Sequence, residues 1–382
     1  MSGLYIHIPF CKQACSYCDF YFVTRQENKE AFVEKLIREI ESRQGTQYAD
    51  EVVQTVYLGG GTPSLLSAQQ IERILIAIHE TFRTELKELT LELNPDDATH
   101  DYLRELKSIG INRLSMGVQT FDASLLKFMN RAHTRDEALQ SLEMLSKTGF
   151  DVFSVDLIYG NPGQTLKALE QDIQTLLDFK PPHISAYSLT IEPKTRLGKQ
   201  YELGRLIPAE EEEVAQHFDL VGDLLLKEGI HQYEVSNFSK PGLEALHNSS
   251  YWSHQNYLGF GPGAHSFWRN NKTGKAERWS NEKNLISYLN NSWKKQNELE
   301  ELGQQELFEE RIMLGLRTIK GISRSELEIN YGIALNRKQE EYIIQKEKEG
   351  LFEIEKDEIK PTKRGLRISD ALILDLITLT EK

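Results

Sequence analysis

The cysteines of this chain are confined to one short segment. Cys11, Cys15 and Cys18 are the only cysteines among 382 residues. Three thiols cannot all pair with one another, and their spacings are too tight for structural disulfide bridges. This concentration of thiols predicts that the segment is built around a metal.

Three interpretations of the thiols compete. A structural zinc site needs a fourth Cys or His ligand, and His7 is available, although it lies on a run that alternates like a β-strand. A [4Fe-4S] cluster held by three thiolates instead leaves one iron free for an exogenous ligand. We rank the iron-sulfur cluster first, zinc well below it, and three unrelated buried thiols last.

Composition narrows the class of protein. The formal net charge is −13 and the hydrophobic content is 39%. Affinity for nucleic acid depends chiefly on Lys and Arg, so we expect no nucleic acid partner. No run approaches the roughly 18 apolar residues of a membrane span, and the residues before Cys11 resemble no cleaved leader. We expect a cytoplasmic protein without a transmembrane segment.

Residues 1–235 alternate short apolar runs with amphipathic segments, which is typical of repeated βα units. This pattern predicts an α/β fold, a partial (β/α)6 barrel whose ligand site lies at the carboxyl ends of its strands. The predicted strands are Leu4–Ile8, Gln54–Leu58, Glu88–Leu93, Arg113–Val118, Val152–Ile158 and His183–Leu189.

Two further regions follow the predicted barrel. Residues 236–302 are rich in Asn, Ser, Gly and aromatic residues, and we interpret them as a loop-rich extension. Residues 303–382 predict helices followed by a short hairpin, a small α+β domain of winged-helix-like type. Its acidic and basic residues nearly balance, so it lacks the basic face of a DNA-binding domain.

Polar groups follow several predicted strands. The run from Gly59 to Thr62 follows the second strand, where backbone without side chains can approach a ligand closely. Glu92 ends the third strand, and a carboxylate there could accept both hydroxyls of a ribose. Taken singly, a glycine run is more often a turn, and a strand-end carboxylate is more often an ion-pair partner.

The CxxxCxxC run after the first strand resembles the radical S-adenosylmethionine (SAM) superfamily. The wider run YxHIPFCxxxCxxC, beginning at Tyr5, is similar to the oxygen-independent coproporphyrinogen III oxidase group. The resemblance implies that the open iron binds the amino and carboxylate groups of SAM. An electron from the cluster would then cleave the sulfonium to a 5′-deoxyadenosyl radical.

The resemblance also carries over SAM contacts, residue by residue. The matching positions are Tyr5, Tyr17, Gly60, Gly61, Thr62, Glu92, Gln119, Arg131, Asp156 and Thr190, with Cys11, Cys15 and Cys18 as cluster ligands.

Two departures separate this chain from the oxidase proper. That group has a fourth cysteine where this chain has Phe20, and it has a longer segment before the cluster loop. Both departures match a sister group of haem chaperones instead. The run from His247 to Trp252 is similar to the HNxxYW motif of that group, which the resemblance links with haem handling.

His247 is therefore our candidate haem ligand, because imidazole binds haem iron and aromatic rings stack on a flat macrocycle. Its structural alternative is a histidine that caps a helix, and His265 is a weaker second candidate. The resemblance favours a haem chaperone over an oxidative decarboxylase and leaves enzymatic activity open. We expect haem and a haem-accepting protein as partners, and we also consider peripheral membrane association and a homodimer.

Overall fold

The structure is a computed structural model that describes residues 2–270, 273–294 and 297–379. Six parallel strands form its centre, and each lies within a few residues of its predicted position. The strands are β1 Ser2–Ile8, β2 Val53–Gly60, β3 Thr84–Leu93, β4 Arg113–Gln119, β5 Phe153–Tyr159 and β6 His183–Ser188.

Helices connect these strands and cover the outside of the sheet. They are α1 Lys29–Glu41, α2 Ala68–Thr81, α3 His100–Ser108, α4 Ala123–Phe128, α5 Arg135–Thr148, α6 Leu166–Leu177, α7 Arg196–Glu202 and α8 Glu211–Lys227. Local sequence fixes several of their starts. Ser67 forms a capping box with Gln70 at α2, which satisfies backbone donors that the first helical turn leaves unpaired.

The strands β1 to β6 neighbour one another in chain order, and each pair is parallel. Alternate residues therefore face the helices or the barrel interior. On β1 the buried Leu4, Ile6 and Ile8 belong to the main hydrophobic core, while Tyr5 and His7 point the other way. The predicted partial (β/α)6 barrel is confirmed.

The region from β6 to residue 302 is more ordered than the sequence predicted. It contains the strands β7 His231–Gln232, β8 Asn237–Ser239, β9 Asn256–Phe260, β10 His265–Arg269, β11 Ala276–Ser280 and β12 Asn297–Leu302, with helices α9 Leu246–Trp252 and α10 Leu285–Leu289. The described strands form one sheet in the order β12-β11-β10-β9-β1-β2-β3-β4-β5-β6-β8-β7.

The description of this region as loop-rich was therefore wrong. Strand β9 adds to β1 in parallel, and β10 to β12 continue the sheet in antiparallel pairing. Glycine makes one close approach possible, since a Cβ on Gly259 would come within 2.1 Å of the His265 carbonyl oxygen. The residues of this Gly- and Asn-rich region form short strands here rather than loops.

The remaining elements form a small α+β unit. They are α11 Gln304–Gly315, β13 Ile322–Ser323, α12 Arg324–Tyr331, α13 Arg337–Lys348, β14 Phe352–Glu355, β15 Glu358–Pro361, α14 Lys363–Arg367 and α15 Ser369–Thr378. The helices α11 to α13 precede an antiparallel hairpin of β14 and β15, and β13 pairs with β15, which gives the expected winged-helix-like arrangement. Its core also includes Phe267 and Ala276 of β10 and β11, so the boundary at residue 302 stays a prediction. Within the described ranges, no helix has the length and apolar character needed to cross a bilayer.

Candidate cofactor site

A cavity of about 500 Å³ lies at the carboxyl ends of the parallel strands. Its wall brings together residues from β2 to β6, from the cluster loop at residues 11–18 and from the segment after β6. The sequence-predicted residues in this wall are Cys11, Cys15, Tyr17, Cys18, Gly60, Gly61, Thr62, Glu92, Gln119, Arg131, Asp156 and Thr190.

The cluster loop is fixed by backbone hydrogen bonds on several sides. The Cys11 N–H donates to the Val23 carbonyl at 3.0 Å, next to an isolated parallel bridge between Phe10 and Val23. The Ser16 N–H donates to the Met129 carbonyl, and the Ser16 carbonyl accepts from Leu197, both at 2.9 Å. The loop therefore keeps its place over the cavity without contributing to the apolar core.

Each thiol of the cluster loop lies beside a hydrogen-bond donor. The Thr62 hydroxyl donates to Cys11, the Phe20 N–H donates to Cys18, and Arg131 Nη1 lies 3.3 Å from Cys15 Sγ. Burial raises the pKa of Cys11 to about 11 and that of Cys18 to about 12. Deprotonation of these thiols thus requires a cationic partner, such as cluster iron.

The arrangement suits a cluster better than a single ion. His7 donates from Nε2 to the Tyr21 carbonyl at 2.8 Å and accepts at Nδ1 from the Tyr5 hydroxyl at 3.1 Å. Neither ring nitrogen is open to zinc. Among the described residues, no group of three or more His, Cys, Asp or Glu side chains could hold one metal ion. A cubane places three cysteine ligands on three different irons and needs no fourth protein ligand, which suits a loop with three thiols and no available histidine.

Arg131 ties the cluster loop to the ends of β3 and β4. Its Nη2 donates to Asn94 Oδ1 at 2.8 Å and to the Gly117 carbonyl at 2.7 Å. Its Nη1 also lies 3.4 Å from the Tyr17 hydroxyl. Both terminal nitrogens of this guanidinium are therefore engaged with protein groups, whereas its buried Nε–H has no partner among the described residues.

Two of the carboxyl groups in the cavity wall are carried by β3 and β5. Glu92 accepts from the Tyr57 hydroxyl at 2.6 Å and from the Gly60 N–H at 3.1 Å. Burial, and after it repulsion from Asp156, raises the pKa of Glu92 to about 7. Burial also raises the pKa of Asp156 to about 6, against hydrogen bonds from Ser185 and Ser115. Both groups would be stabilised as anions by a cationic ligand.

Gln119 is positioned by an irregularity at the end of β4. The pairing of β4 with β5 shifts register between Gly117 and Gln119, and Gln119 has a φ of 71°. A non-glycine residue with positive φ is strained, and such strain is typical of functional sites. The space above Gly117 is needed as well, because a Cβ there would lie 2.9 Å from Gln119 Nε2.

Tyr5 is the one predicted SAM contact that does not line the cavity. Its hydroxyl bonds His7, and its ring stacks on Tyr57 with centroids 6.1 Å apart. Tyr5 therefore lies one layer deeper in the barrel. At the cavity wall, Phe20 occupies the position of the missing fourth cysteine and is 65% exposed.

His247 lies at the opposite end of the barrel, on α9. Its side chain has no exposed surface. Nδ1 is 2.9 Å from the Thr55 hydroxyl, and Nε2 is 2.8 Å from the Tyr251 hydroxyl. With both nitrogens bonded, His247 is closed to haem iron in this conformation. The structural alternative also needs correction, since Glu88 rather than His247 caps α9, accepting the N–H groups of residues 246 and 247.

His265 is exposed on β10 and is absent from the cavity wall. Sequence reasoning also missed three residues that shape the site. Asn94 binds Arg131, Tyr57 binds Glu92, and Tyr187 lines the wall. The period-2 alternation of β2 could have identified Tyr57, which shares a strand face with Gly59.

Comparison with known proteins agrees with this geometry. A family model described as the Radical SAM superfamily matches residues 5–176, and one described as the HemN C-terminal domain matches residues 302–368. A solved structure titled as coproporphyrinogen III oxidase (HemN) from Escherichia coli superposes with a TM-score of 0.81 at 22% identity, covering 99% of this chain and 90% of that one. Fold and site thus define a radical SAM protein.

Curated relatives narrow the class further. The chain is 37% identical over 343 residues to "Heme chaperone HemW" of Bacillus subtilis (strain 168), covering 88% of each chain. It is 36% identical over 373 residues to the protein of that name from Lactococcus lactis subsp. lactis (strain IL1403), covering 97% of this chain and 95% of the relative. The chain belongs to the HemW family, within the coproporphyrinogen III oxidase-like radical SAM proteins.

Proposed function

We propose that this protein is a haem chaperone that binds haem and transfers it to an acceptor protein. It would carry a [4Fe-4S] cluster on Cys11, Cys15 and Cys18, with an exchangeable SAM in the cavity. The observation that carries the proposal is the meeting of the three thiols with the predicted SAM residues in one wall. Relatives at 36% and 37% identity carry the chaperone name.

The charges of the cavity support SAM as its occupant. Four carboxyl groups line it, those of Asp19, Glu92, Asp156 and Glu192, against the single guanidinium of Arg131. SAM brings a sulfonium and an ammonium group, which such a lining stabilises. Gly60 and Gly61 would offer backbone to its methionine part, and Glu92 would accept from its ribose hydroxyls.

The same charges disfavour the second candidate, an oxygen-independent coproporphyrinogen III oxidase. A porphyrinogen with four propionates needs several Arg or Lys side chains for recognition. Here Arg131 is already engaged with Asn94 and Gly117. Haem carries two propionates, so we place its site outside this cavity, and we assign no axial ligand.

The proposed setting is the cytoplasm, with a haem-accepting protein as the partner. Association with a membrane surface and homodimer formation stay predictions. Co-sedimentation with anionic vesicles tests the membrane association, and light scattering of the purified protein tests the homodimer.

The decisive experiment mixes anaerobically reconstituted protein with haem and then with apomyoglobin as a test acceptor. We expect a Soret-band shift on haem binding and a second shift when apomyoglobin takes up the haem. In parallel, the protein is incubated with coproporphyrinogen III, SAM and dithionite, and the products are separated by chromatography. Absence of any Soret shift contradicts the proposal, and decarboxylated product at a useful rate favours the oxidase.

A further inference from the structure

Tyr57 connects the cofactor cavity to the opposite end of the barrel. Its hydroxyl donates to Glu92 Oε1 at 2.6 Å. Its ring stacks on His247 with centroids 5.2 Å apart and planes 26° apart, and on Tyr5 at 6.1 Å and 27°. The ring between these neighbours has little freedom, so the direction of its hydroxyl is set before any ligand arrives.

The ring of His247, which stacks on Tyr57, is itself held by hydrogen bonds. His247 is bonded at Nδ1 by Thr55 and at Nε2 by Tyr251, and its backbone N–H is bonded by Glu88. A buried ring with both nitrogens bonded gives a rigid base, because any rotation would leave polar atoms without partners. Helix α9 thus supports the side of the Tyr57 ring that faces away from the cavity.

Glu92 receives one donor on each oxygen, from Tyr57 on Oε1 and from the Gly60 N–H on Oε2. The Gly60 N–H is fixed as well, since this residue has a φ of 107° and a Cβ on it would meet the His7 ring at 2.5 Å. A carboxylate can accept about four hydrogen bonds. Glu92 therefore keeps acceptor capacity for two further donors, such as vicinal hydroxyls.

We infer that Tyr57 is a positioning residue for Glu92, and that His247 holds Tyr57 in place. Through this stack, the helix that carries the HNxxYW motif supports nucleotide recognition at the far end of the barrel. The inference rests on the proposed function, in which Glu92 accepts from the ribose of SAM. It gives His247 a role that requires no contact with haem.

The test compares the effect of one protein substitution on the binding of two ligands, as in a double-mutant cycle. Reconstituted wild-type and Tyr57→Phe proteins are titrated by equilibrium dialysis with SAM and with its 2′,3′-dideoxy analogue. Losing the hydroxyl leaves Glu92 free to turn, so we expect SAM to bind about tenfold more weakly. The analogue has no ribose hydroxyls for Glu92 and should weaken by less than about twofold. A general structural defect would weaken both ligands alike.

Tyr288→Phe is the matched control. The Tyr288 hydroxyl also donates to a glutamate at 2.6 Å, but that glutamate is the buried Glu39, away from the cavity wall. We expect this variant to bind both ligands like the wild type. As a second variant, His247→Ala should reproduce the selective loss for SAM because the Tyr57 ring loses its support.

The outcomes separate this inference from the proposed function. Equal weakening of both ligands by Tyr57→Phe, or weakening of neither, overturns the positioning role. A wild-type protein that binds no SAM overturns the proposed function itself. A wild type that prefers SAM to the analogue, with the full preference kept in Tyr57→Phe, overturns only this inference.

Discussion

The affinity of the reconstituted protein for SAM should rise with pH because Glu92 titrates near neutrality. The pKa of Glu92 is about 7. The ionised carboxylate can accept from both ribose hydroxyls, whereas the protonated form uses one oxygen to carry its own proton. Roughly one molecule in eleven is ionised at about pH 6, and roughly ten in eleven at about pH 8. We therefore expect SAM affinity to increase about tenfold over this interval.

Asp156 adds to this dependence at its lower end. Its pKa is about 6, so about half of it is protonated at about pH 6, which contributes at most about a twofold further loss. The stability of the ligand-free fold should change in the opposite direction. The folded-state pKa of Glu92 is raised above 4.5, so its contribution is full below pH 4.5 and is lost as pH rises through about 7.

The assay is anaerobic equilibrium dialysis with labelled SAM, and the cluster absorbance is recorded at each pH to confirm that the cluster is intact. Glu92→Gln carries no titrating group at this position, so it should bind SAM more weakly with most of the pH dependence removed. A flat wild-type profile would refute the reasoning. So would a Glu92→Gln profile as steep as that of the wild type.

Two further substitutions test the cluster loop and the barrel base. Cys15→Ala should abolish cluster assembly, which is measured as bound iron. The far-UV circular dichroism should be retained, because the loop lies outside the apolar core. A full iron-sulfur spectrum in this variant would contradict the ligand assignment. His247→Ala should lower the free energy of unfolding by about 3 kcal/mol, since it leaves Thr55 and Tyr251 without their hydrogen-bond partner. The haem affinity of this variant should change by less than about twofold. Lost haem affinity with an unchanged melting temperature would instead restore His247 as the haem ligand.

The barrel was predictable from sequence because its signals are local. Buried parallel strands such as β1 and β5 read as short apolar runs, and capped amphipathic helices separate them. The composition of the cavity wall was predictable for the same reason, since residues at the ends of parallel strands converge at one edge of the sheet. Tyr5 was the exception, because the position of a residue along its strand decides whether it reaches the cavity or lies a layer below.

The remaining features depend on long-range contacts. Pairing of β9 with β1 joins residues about 250 positions apart, and nothing near Asn256 in the sequence identifies that partner. Burial of His247 depends likewise on Thr55 from β2 and on Tyr251, whose own position requires the barrel. The register shift that turns Gln119 inward is also set by the pairing of β4 with β5.

The central claim is an iron that the protein leaves without a ligand of its own, and spectroscopy of the reduced cluster tests it most directly. Anaerobically reconstituted protein should contain about four iron and four sulfide per chain. Its electron paramagnetic resonance spectrum should change when SAM is added, because SAM would bind the open iron. Zinc in place of iron and sulfide, or a cluster spectrum that SAM leaves unchanged, would contradict the account.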